Sequence, residues 1–93
     1  MRLILLIPLL LLASCVTKPP AQEMSDARSA IKMAQELPGQ QQNADKFLQS
    51  AEKALEEAAA AIQVERYERA RNKALEAKRH AQQAARLKQS KHK

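Results

Sequence analysis

Small apolar residues recur every three or four positions along two long stretches of the chain, and this spacing restricts the fold more than any other feature. One stripe consists of Ala44, Leu48, Ala51, Leu55, Ala58 and Ile62. The second stripe consists of Tyr67, Ala70, Ala74, Ala77, Ala81 and Ala84. Residues three and four apart share one face of a helix. One Gly, one Tyr, one Phe and no Trp among 93 residues argue against an all-β domain. We therefore expect an all-α fold.

The two stripes are out of phase with each other. Continuing the first stripe beyond Ile62 by steps of three and four reaches the polar residues Glu65 and Arg69. The slip predicts a turn near residues 63–66, and therefore an antiparallel hairpin of the two long C-terminal helices. One continuous helix is the alternative, because residues 63–66 contain no Gly or Pro and Val64 could join the stripes.

A shorter helix is predicted before the hairpin. An apolar stripe runs from Met24 to Ala34, Ser25 is a plausible helix start, and Pro38-Gly39 is a firm stop. Asn43 is the predicted N-cap of the second helix. The expected architecture is a short three-helix arrangement, with helices near residues 24–37, 43–63 and 66–88.

The N-terminal segment precedes this helical part and has a different character. Arg2 is followed by ten apolar residues, Leu3 to Leu12, and small residues then lead to the only Cys, Cys15. A ten-residue helix is about 15 Å long, half the hydrocarbon thickness of about 30 Å. The segment is too short to span a bilayer stably, and it fits the apolar region of a secretory signal.

The tetrapeptide Leu12-Ala13-Ser14-Cys15 resembles the lipobox of bacterial lipoproteins. The resemblance implies a signal peptide over residues 1–14 and acylation of Cys15 by diacylglycerol and palmitate-like chains, which bind membrane lipid. The alternative is an ordinary secretory signal with a chance Cys near the cut site. Val16, rather than Asp, follows the Cys, which in a Gram-negative host implies the outer membrane, facing the periplasm. Residues 15–22 then form a Pro-containing linker.

The pattern Tyr67-Glu68-Arg69-Ala70-Arg71, within Ala-rich helices, resembles an uncharacterised family of small Ala-rich, tetratricopeptide-like helical domains. These domains occur on bacterial envelope lipoproteins, sometimes beside an OmpA-type peptidoglycan-binding domain, which this chain lacks. The resemblance implies a helical domain over residues 23–88, followed by a basic tail over residues 89–93.

Positive charge is concentrated in the second half of a chain whose formal net charge is +6. The cations that we expect to bind an anionic or acidic partner are Arg66, Arg69, Arg71, Lys73, Lys78, Arg79, Arg86 and Lys88. Export would remove nucleic acid from reach. The remaining partners are an envelope protein and anionic envelope polymers such as lipid headgroups, lipopolysaccharide phosphates and cell wall carboxylates.

The residues that carry chemistry are few. His80 and His92 are the only imidazoles, and a metal site needs three or four converging ligands. No Ser has a His placed to activate it, and no Gly-rich phosphate loop is present. We expect no enzymatic activity, no cofactor and no metal.

Two functions fit these observations. The favoured hypothesis is a helical docking or scaffold module of the cell envelope. The alternative resembles the Braun lipoprotein, a heptad-like tether joined to peptidoglycan through a C-terminal Lys, here Lys93. A lysis lipoprotein fits less well, because such chains are usually shorter. Since alanines bury little area, the predicted core is thin, and self-association is a further possibility.

Overall fold

The computed structural model describes residues 18–90. It contains three helices, α1 (Ala21–Glu36), α2 (Gln42–Gln63) and α3 (Tyr67–Ser90). This part of the chain contains no strand, so the predicted all-α class is confirmed. The long helices α2 and α3 form the predicted antiparallel hairpin, and α1 packs against both of them.

The bundle is built of layers to which each helix contributes one residue. One layer joins Met24, Ala58 and Ala74, and another joins Ala34, Ala44 and Ala84. From the first layer to the second, residue numbers rise in α1 and α3 and fall in α2. The first helix is therefore parallel to α3, and both are antiparallel to α2.

Alanine forms most of the core. The layer of Ala27, Ala54 and Ala77 contains no larger residue at its centre. Such small side chains let helix axes approach to about 8 Å, the close end of the usual range. Among residues 18–90 no large side chain is fully buried. The core is therefore as thin as the sequence indicates, and close backbone approach replaces interdigitating side chains.

The helix α2 ends, without a glycine, at the turn that leads into α3. The Arg66 N–H donates to the Ala61 carbonyl (2.8 Å), and the Glu65 N–H donates to the Ile62 carbonyl (2.9 Å). These two hydrogen bonds define a Schellman motif, and Glu65 occupies its left-handed position with a φ of 61°. The alternative prediction of one continuous helix is therefore wrong.

Two predicted helix starts differ from the structure. The first helix begins at Ala21, where the carbonyl of buried Pro20 accepts from Met24 N–H (3.0 Å), so Ser25 lies inside the helix. At α2 the N-cap is Gln41, whose Oε1 accepts from Ala44 N–H (2.8 Å). Asn43 is therefore not the cap, because Gln41, two residues earlier, reaches an unpaired amide of the first turn with its longer side chain.

Candidate docking surfaces

The predicted lipid and wall attachment residues fall outside the described part of the chain. Cys15 and Val16 precede residue 18, and Lys93 follows residue 90. Within residues 18–90 no helix combines the length and the apolar character needed to cross a membrane.

The eight predicted cations do not form one surface, because two of them are ion-paired across different helix seams. Arg71 Nε lies 3.3 Å from Glu23 Oε2 on α1. Lys73 Nζ lies 3.0 Å from Glu57 Oε1 on α2. The cations of α3 therefore point toward both neighbouring helices as well as toward solvent.

The pair of Lys73 and Glu57 shifts the titration of both groups. The hydrogen bond from Lys73 lowers the pKa of Glu57 below its ordinary 4.5, and the same bond raises the pKa of Lys73 above 10.5. Because the pKa of Glu57 is lower in the folded state, its carboxylate stabilises the fold at pH values above the pKa of the unfolded state. This stabilisation is lost as the pH falls through the pKa of the folded state. The raised pKa of Lys73 favours folding below 10.5, and this contribution is lost as pH rises through the folded value.

Lys88 is not a surface cation, which corrects its place in the predicted partner-binding set. Its side chain is only 6% exposed. Its ammonium donates to the carbonyls of Ala34 (2.8 Å) and Leu37 (3.3 Å) at the C-terminal end of α1. Lys88 therefore has a structural function, the capping of another helix.

The remaining cations divide between two regions. Arg66 and Arg69 line a shallow groove of about 330 Å³ beside the α2–α3 turn, next to Val64, which is 64% exposed. Arg79 and Arg86 are exposed on α3, where Arg86 donates to Gln83 (2.8 Å). Lys78, also on α3, is half-buried.

The chain enters the bundle at the same end as the α2–α3 turn. Lys18, Pro19 and Pro20 line a groove of about 430 Å³ together with Tyr67 and Arg71 at the start of α3. We call this end the linker pole. The opposite end, the loop pole, contains residues 37–41 and the end of α3.

A groove between α1 and α2 is the surface that sequence reasoning missed. It encloses about 670 Å³ and is floored by Ile31 and Leu55. Its lining side chains on the two helices are Arg28, Lys32, Gln35, Glu36, Glu52 and Glu56. One signal was present in the sequence, because Leu48, Leu55 and Ile62 recur every seven residues.

His80 has one aromatic and one acidic neighbour. Its ring lies 5.9 Å from that of Phe47, and its Nε2 lies 3.6 Å from Glu76 Oε2. Within residues 18–90 no three His, Cys, Asp or Glu side chains are grouped as a metal site would require. The arrangement at His80 is a packing contact with Phe47 and a contact with the Glu76 carboxylate.

The fold defines the class of protein as a small up-down-up helical bundle with alanine seams. Residues 22–93 match DUF4398, a domain of unknown function. Because the match covers most of the chain, the protein belongs to this family. No curated protein and no solved structure matches the chain.

Proposed function

We propose that the protein is a non-enzymatic, lipid-anchored docking module of the cell envelope, held in the outer membrane by acylated Cys15 and facing the periplasm. The observation that carries the proposal is the sequence Leu12-Ala13-Ser14-Cys15 at the end of a ten-residue apolar run. Two or three acyl chains anchor a protein firmly, whereas one anchors it only marginally.

The fold supports a module held close to lipid. Only the five residues from Val16 to Pro20 separate Cys15 from α1, and five residues span at most about 17 Å. An anchor on Cys15 would therefore hold the linker pole near the membrane surface. Arg66 and Arg69 lie at that pole, where their charges would be attracted to anionic headgroups.

The exposed part of α3 supports a second contact, with an acidic envelope protein or polymer. Arg79 and Arg86 are exposed there, away from the ion pairs of Arg71 and Lys73. Attraction between exposed charges is screened over about 8 Å at physiological ionic strength. Binding through these residues should therefore weaken markedly as salt is added.

The experiment that tests the anchor is the intact mass of the protein from cells that express the full chain. We expect loss of residues 1–14 and a gain of acyl chains, and we expect Cys15→Ala to leave the precursor uncut. The matched variant Val16→Asp should keep the acyl chains and shift the protein from the outer to the inner membrane on fractionation. A mature protein with a free Cys15 thiol would refute the proposal.

Covalent attachment to the cell wall through Lys93 is the second candidate. It is favoured by one observation, because α3 ends at Ser90 on the loop pole, opposite the linker. Digestion of purified cell wall with lysozyme would then release the protein with a muropeptide on Lys93. A cell wall preparation free of the protein would exclude covalent attachment through Lys93 and would not affect the proposal of a docking module.

A further inference from the structure

The seam between α1 and α2 differs from the other two seams in its charges. Across the α1–α3 and α2–α3 seams, Glu23 and Glu57 are paired with cations of α3. Across the α1–α2 seam, Arg28 and Lys32 on α1 face the acidic residues of α2, and one polar bridge joins the walls, from Gln35 Nε2 to Glu52 Oε2 (2.8 Å).

Opposite charges therefore line the two walls of this groove, and most of them are unpaired. Within residues 18–90 the side chains of Arg28, Lys32 and Glu56 have no ion-pair or hydrogen-bond partner. The basic wall is formed by Arg28 and Lys32 of α1, which ends toward the loop pole in the acidic Glu36, and the acidic wall of Glu52 and Glu56 is on α2.

The floor of the groove is apolar and incompletely covered. Leu48, Leu55 and Ile62 are partly buried and pack against the core from α2. Leu55 lines the groove itself, and the seven-residue spacing places Leu48 and Ile62 on the same face of α2. Their exposed parts would gain a hydrophobic contact from any surface that covers the groove.

We propose that the α1–α2 groove is the interface of a parallel homodimer, in which a second copy of this chain covers it. A two-fold axis parallel to the helices places α1 of each copy over α2 of the other. The basic wall of each copy then meets the acidic wall of its partner. A two-fold axis across the groove would instead superpose like charges, which is unfavourable.

The heights along the bundle match for the central pair of charges, Arg28 and Glu52. An axis parallel to the helices preserves height, and Arg28 lies between the layer of Ala27 and Ala54 and the layer of Ile31 and Ala51. Glu52 lies between the same two layers. Arg28 of each copy therefore comes level with Glu52 of the other.

The expected interface is small. The 16 residues of α1 span about 24 Å, and two neighbouring helices are about 20 Å wide, so the dimer buries about 1,000 Å² in total. This area is at the low end of specific interfaces. Both linkers leave a parallel dimer at the same pole, so copies anchored in one membrane would meet at a raised effective concentration. This last point alone depends on the proposed anchor.

Two complementary variants of the full chain, purified in detergent, test the dimer. The acidic variant carries Arg28→Glu and Lys32→Glu, and the basic variant carries Glu52→Lys and Glu56→Lys. We expect the wild-type chain to dimerise in sedimentation experiments at about 1 to 500 μM, the range of small interfaces. Each variant alone should be at least tenfold weaker, because like charges then face each other. Mixing the two should restore co-purification of differently tagged copies.

Restoration on mixing separates the dimer from a groove that only stabilises its own fold, since mixing cannot repair an intramolecular defect. Arg79→Glu with Arg86→Glu gives the same charge change as the acidic variant on exposed α3 residues and should leave dimerisation unchanged. Circular dichroism should show unaltered helicity in all variants. A monomeric wild-type chain, variants that dimerise normally alone, or a mixture that stays apart would each overturn the proposal. Because association is measured whatever the state of Cys15, failure of the anchor would not affect the result.

Discussion

Lys88 joins the C-terminal ends of α1 and α3 through a single ammonium group. The last carbonyls of a helix have no partner within the helix, and a cation placed there also interacts favourably with the helix dipole. The bonds to Ala34 and Leu37 therefore satisfy α1 where its own sequence has no basic residue in the last turn. The docking of α1 onto the hairpin depends on this residue as well as on apolar contacts.

The variant Lys88→Met should destabilise the bundle by about 1–2 kcal/mol. The apolar stem keeps its length, while the carbonyls of Ala34 and Leu37 lose charge-assisted hydrogen bonds of this order. Urea unfolding of the full chain in detergent, followed by circular dichroism, would measure the difference. Lys78→Met, on a half-buried Lys of the same helix, should stay within about 0.5 kcal/mol. Equal or increased stability of Lys88→Met would show that the cap contributes nothing.

Glu65 is a second residue whose backbone limits stability. A side chain with a β-carbon costs about 1–2 kcal/mol in the left-handed conformation, and glycine is the usual residue at this place in a Schellman motif. Glu65→Gly should therefore raise the free energy of unfolding by about 1 kcal/mol in the same assay. Glu65→Ala removes the charge but keeps the β-carbon, so it should leave stability within about 0.5 kcal/mol of wild type. If both variants raised the free energy of unfolding equally, the cause would be the charge of Glu65 rather than its backbone strain.

At the scale of helices, the seams are set by side-chain size. The central layer of Ala27, Ala54 and Ala77, at 0, 2 and 0% exposure, leaves no room for a larger residue. The α1–α2 seam, with Leu48, Leu55 and Ile62, has a groove at its surface. Side-chain size therefore accounts for the close approach at the alanine layer and for the groove beside Leu55.

Ala77→Leu should cost about 2–3 kcal/mol and loosen all three helices together, because overpacking at a three-way contact has no free side to relax into. Ala59→Leu, on the exposed side of α2, introduces the same volume without that contact and should change stability by less than about 0.5 kcal/mol. Urea unfolding and the amide exchange of α1 would compare the two. Similar stability of both variants would contradict close packing along the alanine seams.

These features differ in how far the sequence predicts them. The phase slip after Ile62 predicts the hairpin because spacing fixes which face of each helix is buried. The starts of α1 and α2 were missed, since α1 has no side-chain cap hydrogen bond and α2 is capped by a Gln oxygen rather than by one of the short side chains that usually signal a helix start. Lys88 was missed for another reason. Its burial depends on the position of α1, 54 residues away along the chain, and no local pattern records that distance.

At the scale of the whole molecule, the two poles have different chemical characters. The linker pole combines the cations Lys18, Arg66 and Arg69 with exposed Val64, and the acidic residues Glu65 and Glu68 lie there as well. The loop pole contains Pro38-Gly39 and a run of Gln residues at 40–42. An apolar side chain flanked by cations suits the surface of an anionic bilayer, whereas uncharged polar residues suit solvent.

The last prediction concerns this polarity. Single cysteines at Val64→Cys and Gln40→Cys would each carry the only reactive thiol of a chain whose Cys15 is acylated, so each accepts one nitroxide label. The 22 residues of α2 separate the poles by about 33 Å. In membranes containing a gadolinium-headgroup lipid, the label at 64 should therefore relax much faster than the label at 40. Replacing Arg66 and Arg69 with Gln should reduce that difference only partly, because the linker of about 17 Å still holds the pole near the bilayer. Equal relaxation of the two labels would show that the bundle lies flat or turns freely, and faster relaxation at 40 would reverse the orientation.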